Sequence, residues 1–321
     1  MRTETIKLYE NRDNVTLTAY VWDDSFEMLA GAKRPAVLIC PGGGYLCCSE
    51  REAEPVALRF MGMGYHTFVL RYSVYSEGKP DGILDFSKKI EPKEMCQYPV
   101  QIRDVGKAML MIHEHAEEWL IDMEKIALCG FSAGAHNVAL YAMNWNKPVI
   151  TDFFQETKEK FRPATVVLGY PLSDYTELLR KVDQMGNTDK QTLLMSCRIL
   201  FGTEQPTEEQ KKLASPAQLV TENTPPMFIW STATDQMIPV QQSLRMANAL
   251  ADHEISFELH IFKEGQHGLS IATQAAASSK IQMNEDVASW VEHVEKWLKE
   301  KIGLKIPEKS VFDKMMEGKN A

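Results

Sequence analysis

Apolar residues along this chain fall into two kinds of run. Residues 3–9 and 15–22 alternate apolar and polar positions around Asn11-Arg12-Asp13-Asn14. A period of two on either side of a polar turn predicts an antiparallel hairpin. The later runs, 36–40, 66–72, the stretch from Lys125 into Gly130, 164–170, 227–232 and 256–262, are short and bounded by turns. They lack a clean alternation and predict strands buried on both faces. Between them lie helical patterns at 52–63, ending at Gly64, at 101–119, with Ile102, Val105, Met109 and Ile112 on one face, and at 133–143, 240–251 and 280–301, the last carrying Trp290 and Trp297. Strands alternating with helices predict an α/β fold: a mostly parallel central sheet, helices on both faces and the hairpin as an antiparallel edge.

Two segments break the alternation. Residues 74–97 form an irregular insertion, longer than ordinary connections and therefore expected to carry function or to be disordered. Residues 171–224 hold two short helical patterns, 177–184 and 190–200, and a polar run, 203–212. They are expected to form a cap or lid on one domain spanning 1–321. The tail, 302–321, is mixed and charged and is given no reading, and neither repeats nor low-complexity tracts occur.

The 321 residues are 44% hydrophobic and 25% charged, ordinary for a soluble enzyme. A net charge of -9 argues against nucleic acid or an anionic membrane as partner, and no apolar run reaches the length of a membrane span. The first residues lead directly into a strand pattern, so no secretory signal is expected. Cys40, Cys47, Cys48, Cys96, Cys129 and Cys197 lack metal-ligand spacing and read as reduced thiols of a cytoplasmic protein. Cys40 and Cys129 fall in predicted buried strands. Cys47-Cys48 follows a glycine-rich loop, as plain loop residues or as part of a pocket wall.

The strand entering Gly130 runs into Gly130-Phe131-Ser132-Ala133-Gly134, and a helical pattern follows. A bare Gly-x-Ser-x-Gly match is weak; strand before and helix after are the setting in which it aims a nucleophile clear of a sheet. Ser132 would sit at a helix N-terminus, where negative charge is favoured. A serine needs a base, and the base an orienting acid. His267 follows the last strand between Gly265 and Gly268, and Asp235 follows the strand before. Their chain order, Ser, Asp, His, is that of one class of serine hydrolase. The bland alternative for Asp235 is an N-cap of the next helix. His66, His113, His115, His253, His260 and His293 read as solvated or hydrogen-bonded side chains, and His136, one helical turn after Ser132, as packing beneath the turn. Pro41-Gly42-Gly43-Gly44-Tyr45 follows the first central strand. Successive glycines turn backbone amides towards one point, so oxyanion donors are expected from Gly42, Gly43 or Gly44 with Ala133; which glycines donate stays open. A nucleotide-phosphate loop is the alternative, but its glycine spacing and lysine are absent.

These motifs together resemble the α/β-hydrolase superfamily, in the branch of carbohydrate acetylesterases (acetyl xylan esterase-like proteins) close to hormone-sensitive-lipase-type esterases. The resemblance rests on Pro41–Tyr45, Gly64-Tyr65 before Phe68-Val69-Leu70, Arg71-Tyr72-Ser73, Tyr98-Pro99 with Gln101 and Asp104, Gly130–Gly134, Asp235 with Pro239, and His267-Gly268, and extends over about residues 36–270. It implies hydrolysis of small acyl esters, often acetyl groups on sugars, with Ser132 as nucleophile, His267 as base, Asp235 as its partner and no metal or organic cofactor. The chain departs from the family in the 74–97 insertion and in the 171–224 cap, where substrate would be read. Tyr45, Trp145, Tyr170 and Tyr175 are candidates to stack on a sugar ring, or else core and rim residues. Ile83, Leu84, Phe86, Leu193 and Met195 are scattered and make no long apolar trough, so a short acyl group is expected. A formamidase or small-peptide hydrolase uses the same three side chains, and a silent ligand-binding protein uses the same fold. A homodimer stays open.

Overall fold

The computed structural model describes residues 1–28, 31–77 and 90–318. Residues 78–89 of the inserted loop, with Ile83, Leu84 and Phe86, lie outside them. Strands β1 (Arg2–Tyr9) and β2 (Arg12–Val21) pair antiparallel at the edge. On β2 the alternation does its work: Val15, Leu17, Ala19 and Val21 are buried. Next come β3 (Arg34–Cys40), α1 (Glu54–Met61), β4 (His66–Arg71), α2 (Val100–Glu114), β5 (Ile121–Phe131), α3 (Ala133–Ala142), α4 (Pro148–Phe154) and β6 (Thr165–Gly169). After β6 lie α5 (Tyr175–Arg180), α6 (Asn187–Phe201) and α7 (Glu208–Leu213), then β7 (Met227–Thr232), α8 (Gln241–Asp252), β8 (Phe257–Phe262), α9 (Glu285–Ala288), α10 (Trp290–Ile302) and α11 (Val311–Gly318).

The eight strands form one sheet in the order β1-β2-β4-β3-β5-β6-β7-β8. β2 and β4 are antiparallel, and every pairing from β4 to β8 is parallel. The continuous apolar runs bury both faces. Ala36, Leu38 and Cys40 face one core with Val105, Val138 and Leu250; Val37 and Ile39 face the other with Phe60, Phe131 and Trp230. Trp290, Val294 and Trp297 pack into that second core. Among the described residues no helix is long and apolar enough to cross a membrane.

Two predicted helices break or end early, and three stretches given no helical reading contain helices, α4 among them. The helix read at 280–301 is broken into a turn at Lys280–Gln282, α9 and α10, because Asn284 accepts the Val287 N–H at 3.0 Å and starts a new helix. The helix read to Trp119 ends at Glu114; Leu120 has φ +53° and turns the chain into β5. The polar run at 203–212 contains α7, whose signal lies in the sequence: Thr207 and Gln210 form a reciprocal capping box. The tail contains α11.

Candidate active site

β5 ends one residue before Ser132, and α3 begins one residue after it. At φ +52° and ψ −120° the serine backbone is strained, a conformation that costs roughly 1–3 kcal/mol and is held only by its surroundings. Here the Ser132 N–H donates to Gly169 O at 3.0 Å, and the His136 N–H donates to Ser132 O at 2.9 Å. Close approach explains both flanking glycines. A Cβ on Gly130 would lie 2.4 Å from Gly134 O, and one on Gly134 would lie 2.0 Å from Cys40 O.

β7 and β8 end beside each other in the sheet, and the loops that follow deliver Asp235 and His267. His267 Nε2 lies 2.8 Å from Ser132 Oγ, and His267 Nδ1 lies 2.7 Å from Asp235 Oδ2. Asp235 Oδ1 accepts the N–H groups of Met237 and Ile238 at 3.0 and 2.9 Å. The carboxylate is thus fixed in the loop and is not the N-cap of α8, a position held by Val240. Burial alone would depress the His267 pKa. The charge and hydrogen bond of Asp235, with weaker contributions from Glu52 and Asp189, outweigh it and leave the imidazole more basic than usual.

Opposite Ser132, the glycine loop turns back on itself: Leu46 and Cys47 N–H both reach Gly43 O. Gly43 (φ +126°) would place a Cβ 2.2 Å from Cys47 O, so only glycine fits. The Gly42 amide donates to buried Glu52 Oε2 at 2.8 Å. That removes Gly42 from the expected oxyanion donors. The amides of Gly43, Gly44 and Ala133 donate to no protein acceptor among the described residues. A cavity of about 350 Å³ opens here, lined among others by Gly43, Gly44, Ser132, Leu172, Leu193 and His267.

Residues 27–250 match the family model BD-FAE. The chain belongs to the BD-FAE family. Its relatives place it in the carbohydrate-esterase branch of the α/β hydrolases. Endo-1,4-beta-xylanase B of Butyrivibrio fibrisolvens is 32% identical over 261 residues, covering 80% of this chain and 35% of that protein. Carboxylesterase Cest-2923 from Lactobacillus plantarum WCFS1 superposes with a TM-score of 0.74 at 26% identity, over 96% of this chain and 100% of that one. The acetyl ester-xyloside bifunctional hydrolase from Caldicellulosiruptor lactoaceticus gives a TM-score of 0.71 at 26% identity, over 95% and 98%. This chain spans between about a third and a half of the length of the curated relatives it matches.

In this BD-FAE member the tyrosines considered either as sugar platforms or as core and rim residues are all buried. Tyr170 is buried and absent from the cavity wall; its hydroxyl donates to Glu52 Oε1 at 2.5 Å and accepts the Ser270 N–H at 3.0 Å. Tyr45 and Tyr175 line the cavity but are each 1% exposed. The Tyr45 hydroxyl is hydrogen-bonded to His136 Nδ1, and the Tyr175 ring packs edge-on against His136. Trp145 lies outside the cavity, with its indole N–H bonded to Asn223 O at 3.1 Å.

His136 is buried at the cavity wall. Its Nε2 lies 2.7 Å from Ala214 O, so it links α3 to the segment after α7, and burial lowers its pKa to about 4, keeping it neutral. All six cysteines are free thiols. Cys47 is part of the cavity wall, and burial raises its pKa, so it stays a thiol there. Helix α6 contributes Thr192, Leu193 and Ser196 to the cavity. Glu52 and Arg51 were not singled out in the sequence. Glu52 ends the short turn Glu50–Glu52 that precedes α1, with the non-helical Ala53 between them, so helical spacing did not mark it.

Proposed function

We propose that this protein is a serine carboxylic-ester hydrolase that removes short acyl groups, chiefly acetyl, from carbohydrate or other small-molecule alcohols through an acyl-serine intermediate. One observation carries the reading: the unbroken hydrogen-bonded line Asp235–His267–Ser132, facing the unclaimed amides of Gly43, Gly44 and Ala133. His267 takes the Ser132 proton as Oγ attacks the ester carbonyl. The amides stabilise the oxyanion, each worth about 3–4 kcal/mol of barrier when well aimed. His267 then protonates the leaving alcohol and activates the water that frees the enzyme. A fluorophosphonate probe should label this protein stoichiometrically, with the adduct on the peptide holding Ser132. Labelling elsewhere, or none, counts against the mechanism.

The short acyl group follows from the cavity. At about 350 Å³ it lies at the small end of the roughly 300–1,000 Å³ usual for ligand pockets, and acyl group and alcohol must share it. The similarity to Endo-1,4-beta-xylanase B and to the acetyl ester-xyloside bifunctional hydrolase supports a carbohydrate alcohol. Across p-nitrophenyl esters, kcat/KM is expected to peak at acetate or propionate and to fall at least about tenfold by octanoate. A maximum at hexanoate or longer contradicts this.

The base sets the pH dependence. His267 must be neutral to accept the Ser132 proton, and its pKa is raised above the ordinary value of about 6.5. Activity is therefore complete above the raised pKa and is lost as pH falls through it, about tenfold per unit. The acid limb of kcat/KM, which reports the free enzyme, should lie above that ordinary value; a limb near pH 5 would show that Asp235 does not hold the imidazole in solution.

A further inference from the structure

Glu52 is 3% exposed. Burying a carboxylate is costly unless hydrogen bonds hold it, and here both oxygens are engaged by parts of the active site. Oε2 accepts the Gly42 amide at 2.8 Å, at the root of the glycine loop. Oε1 accepts the Tyr170 hydroxyl at 2.5 Å. Tyr170 in turn accepts the Ser270 N–H at 3.0 Å, three residues after His267, and sets its ring edge-on to the imidazole with centroids 4.9 Å apart. The neighbouring backbone strengthens the link: Arg51 Nη1 donates to Gly268 O at 2.8 Å, and Ser270 Oγ donates to Arg51 O at 2.6 Å.

We propose that Glu52 is a positioning residue: its carboxylate ties the glycine loop to the loop bearing His267, so the oxyanion donors and the base keep one mutual geometry. The inference rests on the ester-hydrolase reading above. Glu52 touches neither Ser132 Oγ nor His267 by hydrogen bond; it acts through Gly42 and Tyr170. Gly42 makes the approach possible, since a Cβ there would lie 2.7 Å from Glu52 Oε2 and 2.6 Å from Phe131 O. The charge has a second effect. His267 is faced by Asp235, Glu52 and Asp189, all of which favour its protonated form, and Glu52 is also faced by the Arg51 guanidinium. Burial raises the Glu52 pKa, and the hydrogen bonds from Tyr170 and Gly42 with the charges of His267 and Arg51 work against that rise; replacing the ionised carboxylate by an amide makes His267 less basic.

The test uses Glu52→Gln and Tyr170→Phe in the full chain, with Ser132→Ala alongside and circular dichroism and thermal melting to establish folding. With p-nitrophenyl acetate, Glu52→Gln should lower kcat about tenfold to a hundredfold, as small misplacements of reacting groups do. KM should move less than about threefold, since ground-state binding is not its role. Its acid limb should also shift to lower pH, which a merely structural defect would not cause. Glu52→Gln that is folded, with wild-type kcat or an unmoved acid limb, overturns the proposal. If Glu52→Gln fails to fold, Tyr170→Phe decides: lowered kcat with KM held supports the link, and wild-type kcat overturns it. Turnover surviving in Ser132→Ala removes the underlying ester-hydrolase reading; an inactive Ser132→Ala beside a fully active Glu52→Gln removes the positioning role alone.

Discussion

Replacing Ser132 with alanine is expected to abolish ester hydrolysis and leave the protein folded. In serine hydrolases that use such a line of side chains, loss of the nucleophile costs roughly a millionfold in kcat. Little stability should go with it. The residue is partly buried, and its hydroxyl makes the 2.8 Å hydrogen bond to His267 Nε2; such a bond contributes about 0.5–1.5 kcal/mol net. The strained backbone stays strained with alanine, because β5, α3 and the Gly169 carbonyl impose it. The check is p-nitrophenyl acetate turnover beside a thermal melt. Turnover within tenfold of the parent, at an unchanged melting temperature, would remove Ser132 from the reaction.

Asp235→Asn should lower kcat about ten-thousandfold at neutral pH. The size follows from a tautomer. Asn Oδ1 still accepts the Met237 and Ile238 amides, so the loop keeps its shape. The other terminus becomes an amide N–H directed at His267 Nδ1, where an acceptor stood 2.7 Å away. Nδ1 must then accept, the ring proton moves to Nε2, and Nε2 cannot take the proton of Ser132. Steady-state kinetics at pH 7, with circular dichroism to establish the fold, measures this. A loss below tenfold would mean that Asp235 does not orient the base.

How far the sequence reaches differs from element to element. The hairpin, the two-faced buried strands and the glycine motifs were legible because each rests on local rules: period, run length, and the space a Cβ needs. Helix ends were less so. Asn284 restarts a helix inside a pattern that amphipathicity alone continues, and α7 shows by its capping box and not by apolar spacing. For the tyrosines the sequence left platform and core or rim open, because a ring in a predicted site fits either; the structure buries Tyr170 with its hydroxyl between Glu52 and Ser270. Gly42 was open in the same way: three glycines look equivalent until a carboxylate is found on one amide.

The sequence by itself determined the succession of the strands and of the main helices between them, the sharp turn at Ser132 and the identity of the three side chains now within hydrogen-bond reach of one another. Each depends on neighbours close along the chain. Only the tertiary structure decided which amides remain free, which rings are walls and where Glu52 points. A buried carboxylate takes its partners from segments 10 and 118 residues away, and no local pattern encodes a meeting made by the packing of a whole sheet.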